Sequence, residues 1–312
     1  MSEILLAEEI QKRFGTTQAL AGLDLDIGPG QVVGLVGPNG SGKTTFIRIV
    51  VGFLRCDSGR IRVLDRDPWQ DRSVMANIGI VPERTSFPVR FRVIDYLERA
   101  CRIRNLPESR AREVLEEWDL KGALTKTIGT LSAGMMQRLA LSHAFLHDPD
   151  FIVADEPTSN LDPFGRIGIL AKIAEQHDDR GRTFLMTSHI LGDLDKVCSS
   201  IAFLKEGRLV AYGEPEKLLG PAVRLRFRIS CDDMVRLRDE LSVLPYHFVF
   251  DVEPRRLVVD IPDDVQLNFL GLIQDVATGA GIRIFSVEQV GTTLEEVFLR
   301  IIADSPTRSE RE

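Results

Sequence analysis

From Val32 onward, short apolar runs alternate with amphipathic stretches in the rhythm of a mostly parallel α/β sheet. The runs Val32 to Val36, Ile78 to Val81, Phe151 to Ala154, Thr183 to Thr187 and Ile201 to Lys205 predict strands. Short continuous apolar runs suit strands covered on both faces. Ahead of them, residues from about Ile4 to Ile27 break into short apolar runs around turns such as Phe14-Gly15-Thr16-Thr17 and end at Gly28-Pro29-Gly30, which predicts short antiparallel strands. Between about Ser86 and Asp148 the period becomes helical. Val93, Ile94, Leu97 and Cys101 share one face, and Val114, Leu115 and Trp118 share another.

A break falls near Gly220-Pro221. Past it, Val223, Leu225, Phe227 and Ile229 alternate with Arg224, Arg226 and Arg228, the period of a strand with one face buried and one solvated. Helix from Asp232 to Leu244, strands from Phe248 to Val252 and Leu257 to Ile261, helix from Val265 to Thr278, strand from Ile282 to Val287 and a closing helix from Leu294 to Ile302 follow. The order βαββαβ is that of a ferredoxin-like α+β domain. The chain therefore reads as an α/β domain over residues 1–220 with a helical insertion at about 86–148, an accessory domain over 222–304, and a disordered tail at 305–312.

The 312 residues suffice for two cores, and 44% hydrophobic with 27% charged residues is a globular composition. A net charge of −7 argues against a nucleic-acid backbone as the main partner. Cys56, Cys101, Cys198 and Cys231 lie far apart without a metal-binding spacing and read as reduced thiols in a cytosolic protein. No stretch is apolar and long enough to span a bilayer, and Met1-Ser2-Glu3 opens no signal-peptide pattern, so a membrane role has to come from a partner.

The chemistry is concentrated in Gly37-Pro38-Asn39-Gly40-Ser41-Gly42-Lys43-Thr44-Thr45, set between the strand at Val32 to Val36 and a helical stretch from Phe46 to Val51. This fits G-x-x-x-x-G-K-[ST], in which glycines let successive backbone N–H groups curl round phosphates. Lys43 then meets the outer phosphates and Thr44 holds magnesium. An ordinary glycine-rich strand-to-helix turn is the competing reading. The apolar strand Phe151 to Ala154 ends in Asp155 and Glu156, an acid to support magnesium and an acid to orient the attacking water, unless the pair only caps the next helix. Leu131-Ser132-Ala133-Gly134-Met135-Met136-Gln137 opens a helix whose N-terminal N–H groups, with Ser132, suit a terminal phosphate.

With these motifs in this order, residues 3–220 resemble the ATP-binding subunit of ABC transporters. Leu131 to Gln137 is similar to that family's signature, with Ala133 where a second glycine is usual. Ser159-Asn160-Leu161-Asp162 resembles the loop that links two subunits, Ser188-His189 the switch histidine, and Phe14 the aromatic that stacks on adenine.

The resemblance implies a phosphate-loop ABC ATPase core that binds ATP and magnesium. Glu156 and His189 would be catalytic, and Thr44, Asp155 and Glu83 would lie at the metal. Glu83 stands where the family commonly has glutamine; a plain turn residue facing solvent is its other reading. Ser132, Ala133 and Gly134 would act on the ATP of a second, head-to-tail subunit, with a homodimer having two competent sites. Gly291 to Arg300 is similar to the ending of exporter subunits of the drug-resistance type. The implied function is ATP hydrolysis driving a separate integral-membrane permease, from a position at the inner face of the cell membrane. A soluble ABC-type ATPase acting in translation or on DNA, and a nucleotide-sensing module, are the alternatives.

Overall fold

The structure, a computed structural model, describes residues 3–188, 190–218, 226–244, 246, 248–253, 256–261, 269–290 and 298. The chain divides into two compact units, Met1–Leu218 with Phe298–Glu312, and Leu219–Val297.

In the first unit a hairpin of β1 (Leu5–Phe14) and β2 (Thr17–Ile27) leads into β3 (Val32–Val36) and α1 (Lys43–Val50). β4 (Ser58–Val63) then joins β1 on its other side, giving an antiparallel sheet in the order β2-β1-β4. The strands are antiparallel, but at 10 and 11 residues β1 and β2 are longer than the short strands expected. Leu5, Ala7 and Ile10 all face the core, but a bulge between Ala7 and Ile10 breaks their alternation. Glu9 sits there at φ 49°, its N–H held by Asp24 Oδ1 at 2.7 Å. One extra residue shifts the period of buried positions within the strand.

β5 (Ile78–Val81), β6 (Phe151–Ala154), β7 (Thr183–Thr187), β8 (Ser200–Lys205) and β9 (Arg208–Gly213) complete the second sheet. Its order is β5-β6-β7-β3-β8-β9, parallel except for the β8–β9 hairpin. Every residue of β3, β6, β7 and β8 is buried, as their unbroken apolar runs require. α1 lays Phe46, Ile47, Ile49 and Val50 into the core that β3, β6 and β8 share with the smaller sheet.

Between β5 and β6 the chain makes α2 (Val93–Ile103), α3 (Ser109–Glu117) and α4 (Ala133–Ala144). Val93, Leu97, Cys101, Val114, Leu115 and Leu139 form a core of their own, so the insertion is a subdomain rather than a loop. α5 (Pro163–Arg180), α6 (Leu191–Leu194) and α7 (Pro215–Leu218) complete the unit. Phe298 also belongs to it, its ring stacked on Phe203 of β8 with centroids 5.5 Å apart. The remainder of the predicted closing helix, and the tail at 305–312, lie outside the described residues.

The second unit contains β10 (Arg226–Cys231), α8 (Met234–Ser242), β11 (Val249–Glu253), β12 (Arg256–Asp260), α9 (Phe269–Ala280) and β13 (Ile284–Val290). The sheet order β11-β12-β10-β13, antiparallel throughout, is the ferredoxin-like arrangement. Phe227, Ile229, Leu257 and Val259 meet Phe269 and Ile273 in its core. The expectation of a solvated arginine face fails at Arg226, which is only 6% exposed. Register sets it opposite Asp260, and its guanidinium donates to both carboxylate oxygens, the Nη2 bond measuring 2.8 Å. A buried guanidinium is tolerated when its donors are matched in this bidentate way.

Candidate functional site

The phosphate loop forms because β3 must end abruptly and α1 must begin within a few residues. Gly40 and Gly42 lie at φ 81° and 108°, which side chains with a Cβ rarely adopt. Gly37 is needed for space: a Cβ there would stand 2.2 Å from Leu204 O and 2.5 Å from Ser41 Oγ. The Gly207 N–H, from the β8–β9 turn, donates to Ser41 O at 2.9 Å and pins the loop from behind. Gly37→Ala is expected to cost at least about tenfold in ATP affinity while leaving most of the fold intact, because only the loop has to move. Titration with a fluorescent ATP analogue, read beside a thermal melt, checks this.

Lys43 opens α1, and its Nζ donates to Gly37 O at 2.7 Å and Pro38 O at 3.3 Å, so the ammonium lies across the loop. Burial pulls its pKa below the usual lysine value, while the charges of Glu156 and Asp155 push it back up. The lysine and the two acids are thus electrostatically one site.

The acids stand at the end of β6, two strands away from β3, with β7 between. Asp155 is 6% exposed, and its N–H donates to Val81 O at 2.8 Å, which ties it to the end of β5. Glu156 adopts φ 53°, a left-handed conformation that costs a residue with a Cβ about 1–2 kcal/mol. Ser159 N–H closes the following turn onto Glu156 O at 3.1 Å.

These segments surround one cleft of about 680 Å³ lined by Asn39 to Thr45, Glu83, Asp155, Glu156, Ser159 and Asn160, with Thr17 and Ala19 of β2 on its rim. Glu83 therefore faces the cleft as well as solvent. Phe14 lies at the tip of β1, 49% exposed, with Lys12 Nζ 5.6 Å from its ring centroid; the cleft's lining runs through Thr17 and Ala19 instead. Those two residues were not singled out by sequence, because a strand position beside a loop leaves no motif. Ser132 caps α4, accepting from Met135 N–H at 3.3 Å, and neither it nor Ala133 and Gly134 lines this cleft. Asp162 caps α5, accepting from Gly165 N–H at 2.7 Å. His189 lies outside the described residues.

A tight anion-cradling loop with its lysine, sharing a cleft with two carboxylates at the end of one buried parallel strand, defines a phosphate-loop nucleotide hydrolase. A family model described as ABC transporter matches residues 20–159. Over 306 residues the chain is 31% identical to a Nod factor export ATP-binding protein I of Burkholderia pseudomallei, spanning 94% of this chain and 95% of that protein. It is 31% identical over 299 residues to a daunorubicin resistance ATP-binding protein of Streptomyces coeruleorubidus, with 94% of each chain covered. Among solved structures, cbiO1 of Clostridium perfringens, part of an ABC transporter complex, superimposes with a TM-score of 0.63 at 25% identity, over 78% of this chain and 97% of that one. The chain belongs to the ATP-binding subunits of ABC transporters and is an ATPase.

Proposed function

We propose that this chain is the motor subunit of an exporter whose permease is a separate membrane protein, and that it works as a head-to-tail dimer of two copies enclosing two ATP molecules. The observation that carries the dimer is the position of Ser132: the phosphate loop and the acids share a cleft, while the signature turn lies outside it. A second copy would bring its Ser132, Ala133 and Gly134 to the first copy's nucleotide, across the loop at Asp162. Export is supported by the names of the two relatives matched along nearly the whole chain, which also disfavour a role in translation or on DNA.

ATP would lie with its phosphates in the loop, Lys43 on the outer ones and Phe14 against the adenine. Thr44 and Asp155 would hold magnesium, which neutralises charge on the transferred phosphate when bound. One hydroxyl and one buried carboxylate suit that ion, which keeps water and phosphate oxygens as its other ligands. The buried Ser41 Oγ, with no hydrogen-bond partner among the described residues, fits a loop built around oxygens from outside the chain. Glu83 borders the same region. Glu156 would accept the proton of the attacking water, with His189 donating to the outer phosphate. The second unit, and with it the domain division read from the sequence, would serve as an accessory to the dimer.

Contact with the permease would run through the insertion. Pro88, Phe91, Tyr96, Ile103 and His143 line a groove of about 510 Å³, with Arg99 and Arg104 beside them, and Ile103 is strongly exposed. A short amphipathic helix of the permease fits an apolar groove of this kind. This contact would hold the chain at the inner face of the membrane. Phe91→Asp is expected to keep the basal ATPase rate of the purified chain but to weaken its cosedimentation with native membranes about tenfold or more, the effect of losing a central apolar anchor. Unchanged cosedimentation would contradict the groove assignment.

A further inference from the structure

We infer that Thr187 is a positioning residue for hydrolysis, holding the magnesium acid and the water-orienting acid in one geometry; the inference rests on the roles proposed above for Asp155 and Glu156. Its side chain is completely buried at the end of β7. The Thr187 hydroxyl donates to Asp155 Oδ1 at 2.7 Å and accepts from the Glu156 N–H at 2.8 Å. A single hydroxyl thus uses both its donor and its acceptor capacity on two successive residues of the site.

The sheet explains why Thr187 makes the link. β7 is inserted between β3, which carries the phosphate loop, and β6, which carries the acids. Register pairs Leu35 with Thr187 on one side and Ala154 with Met186 on the other. Thr187 therefore lies at the level where β3 gives way to the loop and β6 gives way to Asp155.

Two consequences follow for the acids. Asp155 commits one oxygen to Thr187, which fixes the plane of its carboxylate. Glu156 is held at φ 53° by a hydrogen bond to its own N–H, so its side chain leaves the strand in a direction the unrestrained backbone would disfavour. The next residues are anchored from the same quarter: Ser188 Oγ accepts from Ile190 N–H at 3.0 Å, and Thr158 Oγ1 donates to Asp193 Oδ2 at 3.2 Å. Thr187 is the member of this set that touches both acids.

The test compares Thr187→Val, Thr187→Ala and Thr187→Ser in the full chain, measuring kcat and ATP affinity separately and expressing turnover per bound nucleotide. Valine keeps the shape and removes the hydroxyl; it is expected to lower kcat about 10- to 100-fold, the scale of an ångström-sized misplacement, with ATP affinity nearly unchanged. Alanine should do the same if valine prevents folding, and serine should restore most of the rate. Thr187→Val added to Glu156→Gln should lower kcat by less than the product of the two single effects, because part of the Thr187 effect acts through Glu156. Wild-type turnover in Thr187→Val, serine as slow as valine, or equal loss of binding and turnover would each overturn the positioning role. Glu156→Gln serves as the control: if it turns over normally, the reading of Glu156 itself fails, whereas a normal Thr187→Val beside an inactive Glu156→Gln overturns this inference alone.

Discussion

Glu156→Gln is expected to bind ATP as tightly as the unmodified chain and to hydrolyse it roughly 10²–10⁴-fold more slowly, the usual contribution of a placed general base. Glutamine preserves the size of the side chain and its capacity to hold a water, but has no basic oxygen for the proton. The left-handed turn at Glu156 and its N–H bond to Thr187 involve backbone atoms, so the substitution leaves them in place. Binding should survive because the phosphate loop and Lys43 are anchored elsewhere, to Gly37 O, Pro38 O and the β8–β9 turn. The split is the diagnostic point: a fall in kcat without a fall in affinity marks an interaction made only in the transition state. Single-turnover hydrolysis of radiolabelled ATP beside an equilibrium binding titration measures both quantities. Turnover close to that of the unmodified chain would remove Glu156 from the mechanism.

Lys43→Ala is expected to fail one step earlier. A charge-assisted hydrogen bond to phosphate contributes about 1.5–3 kcal/mol, so the variant should bind ATP about 10- to 100-fold more weakly. The site enlarges that loss. The charges of Asp155 and Glu156 both raise the Lys43 pKa, so the ammonium lies in the field of both carboxylates. Without it the cleft presents two acids to a polyanionic ligand. Raised magnesium should recover part of the affinity in Lys43→Ala by screening those acids, and should recover none of the rate in Glu156→Gln. The fold should tolerate the change, since alanine is a strong helix former and Lys43 is the first residue of α1. Calorimetric titration with ATP at two magnesium concentrations distinguishes these outcomes.

Much of this was legible in the sequence because the relevant forces are local. β3, β6 and β7 are buried on both faces, and their apolar runs predict their limits to the residue. Phosphate-loop glycines carry a signal for the same reason: left-handed φ at Gly40 and Gly42 and the crowding at Gly37 exclude other residues. Non-local features left no such mark. The bulge at Glu9 involves Asp24, across the hairpin, and it breaks the alternation that marks a long strand. Arg226 looked solvated because its partner, Asp260, is 34 residues further on. Thr187 reads as one more apolar-strand residue until the sheet order places β7 beside β6, after which its hydroxyl meets Asp155. The proposed chemical groups carry motifs in the sequence; the sheet order brings Thr187 to the two acids.

In the proposed dimer the ATP site of one chain is completed by the signature turn of another. Light scattering of the Glu156→Gln variant, with and without ATP and magnesium, tests this arrangement. One-chain mass without nucleotide and two-chain mass at saturating ATP are expected, with dimerisation abolished by adding Ser132→Arg, a change outside the chain's own cleft. One-chain mass at saturating ATP, or a dimer indifferent to ATP and to Ser132→Arg, would contradict it.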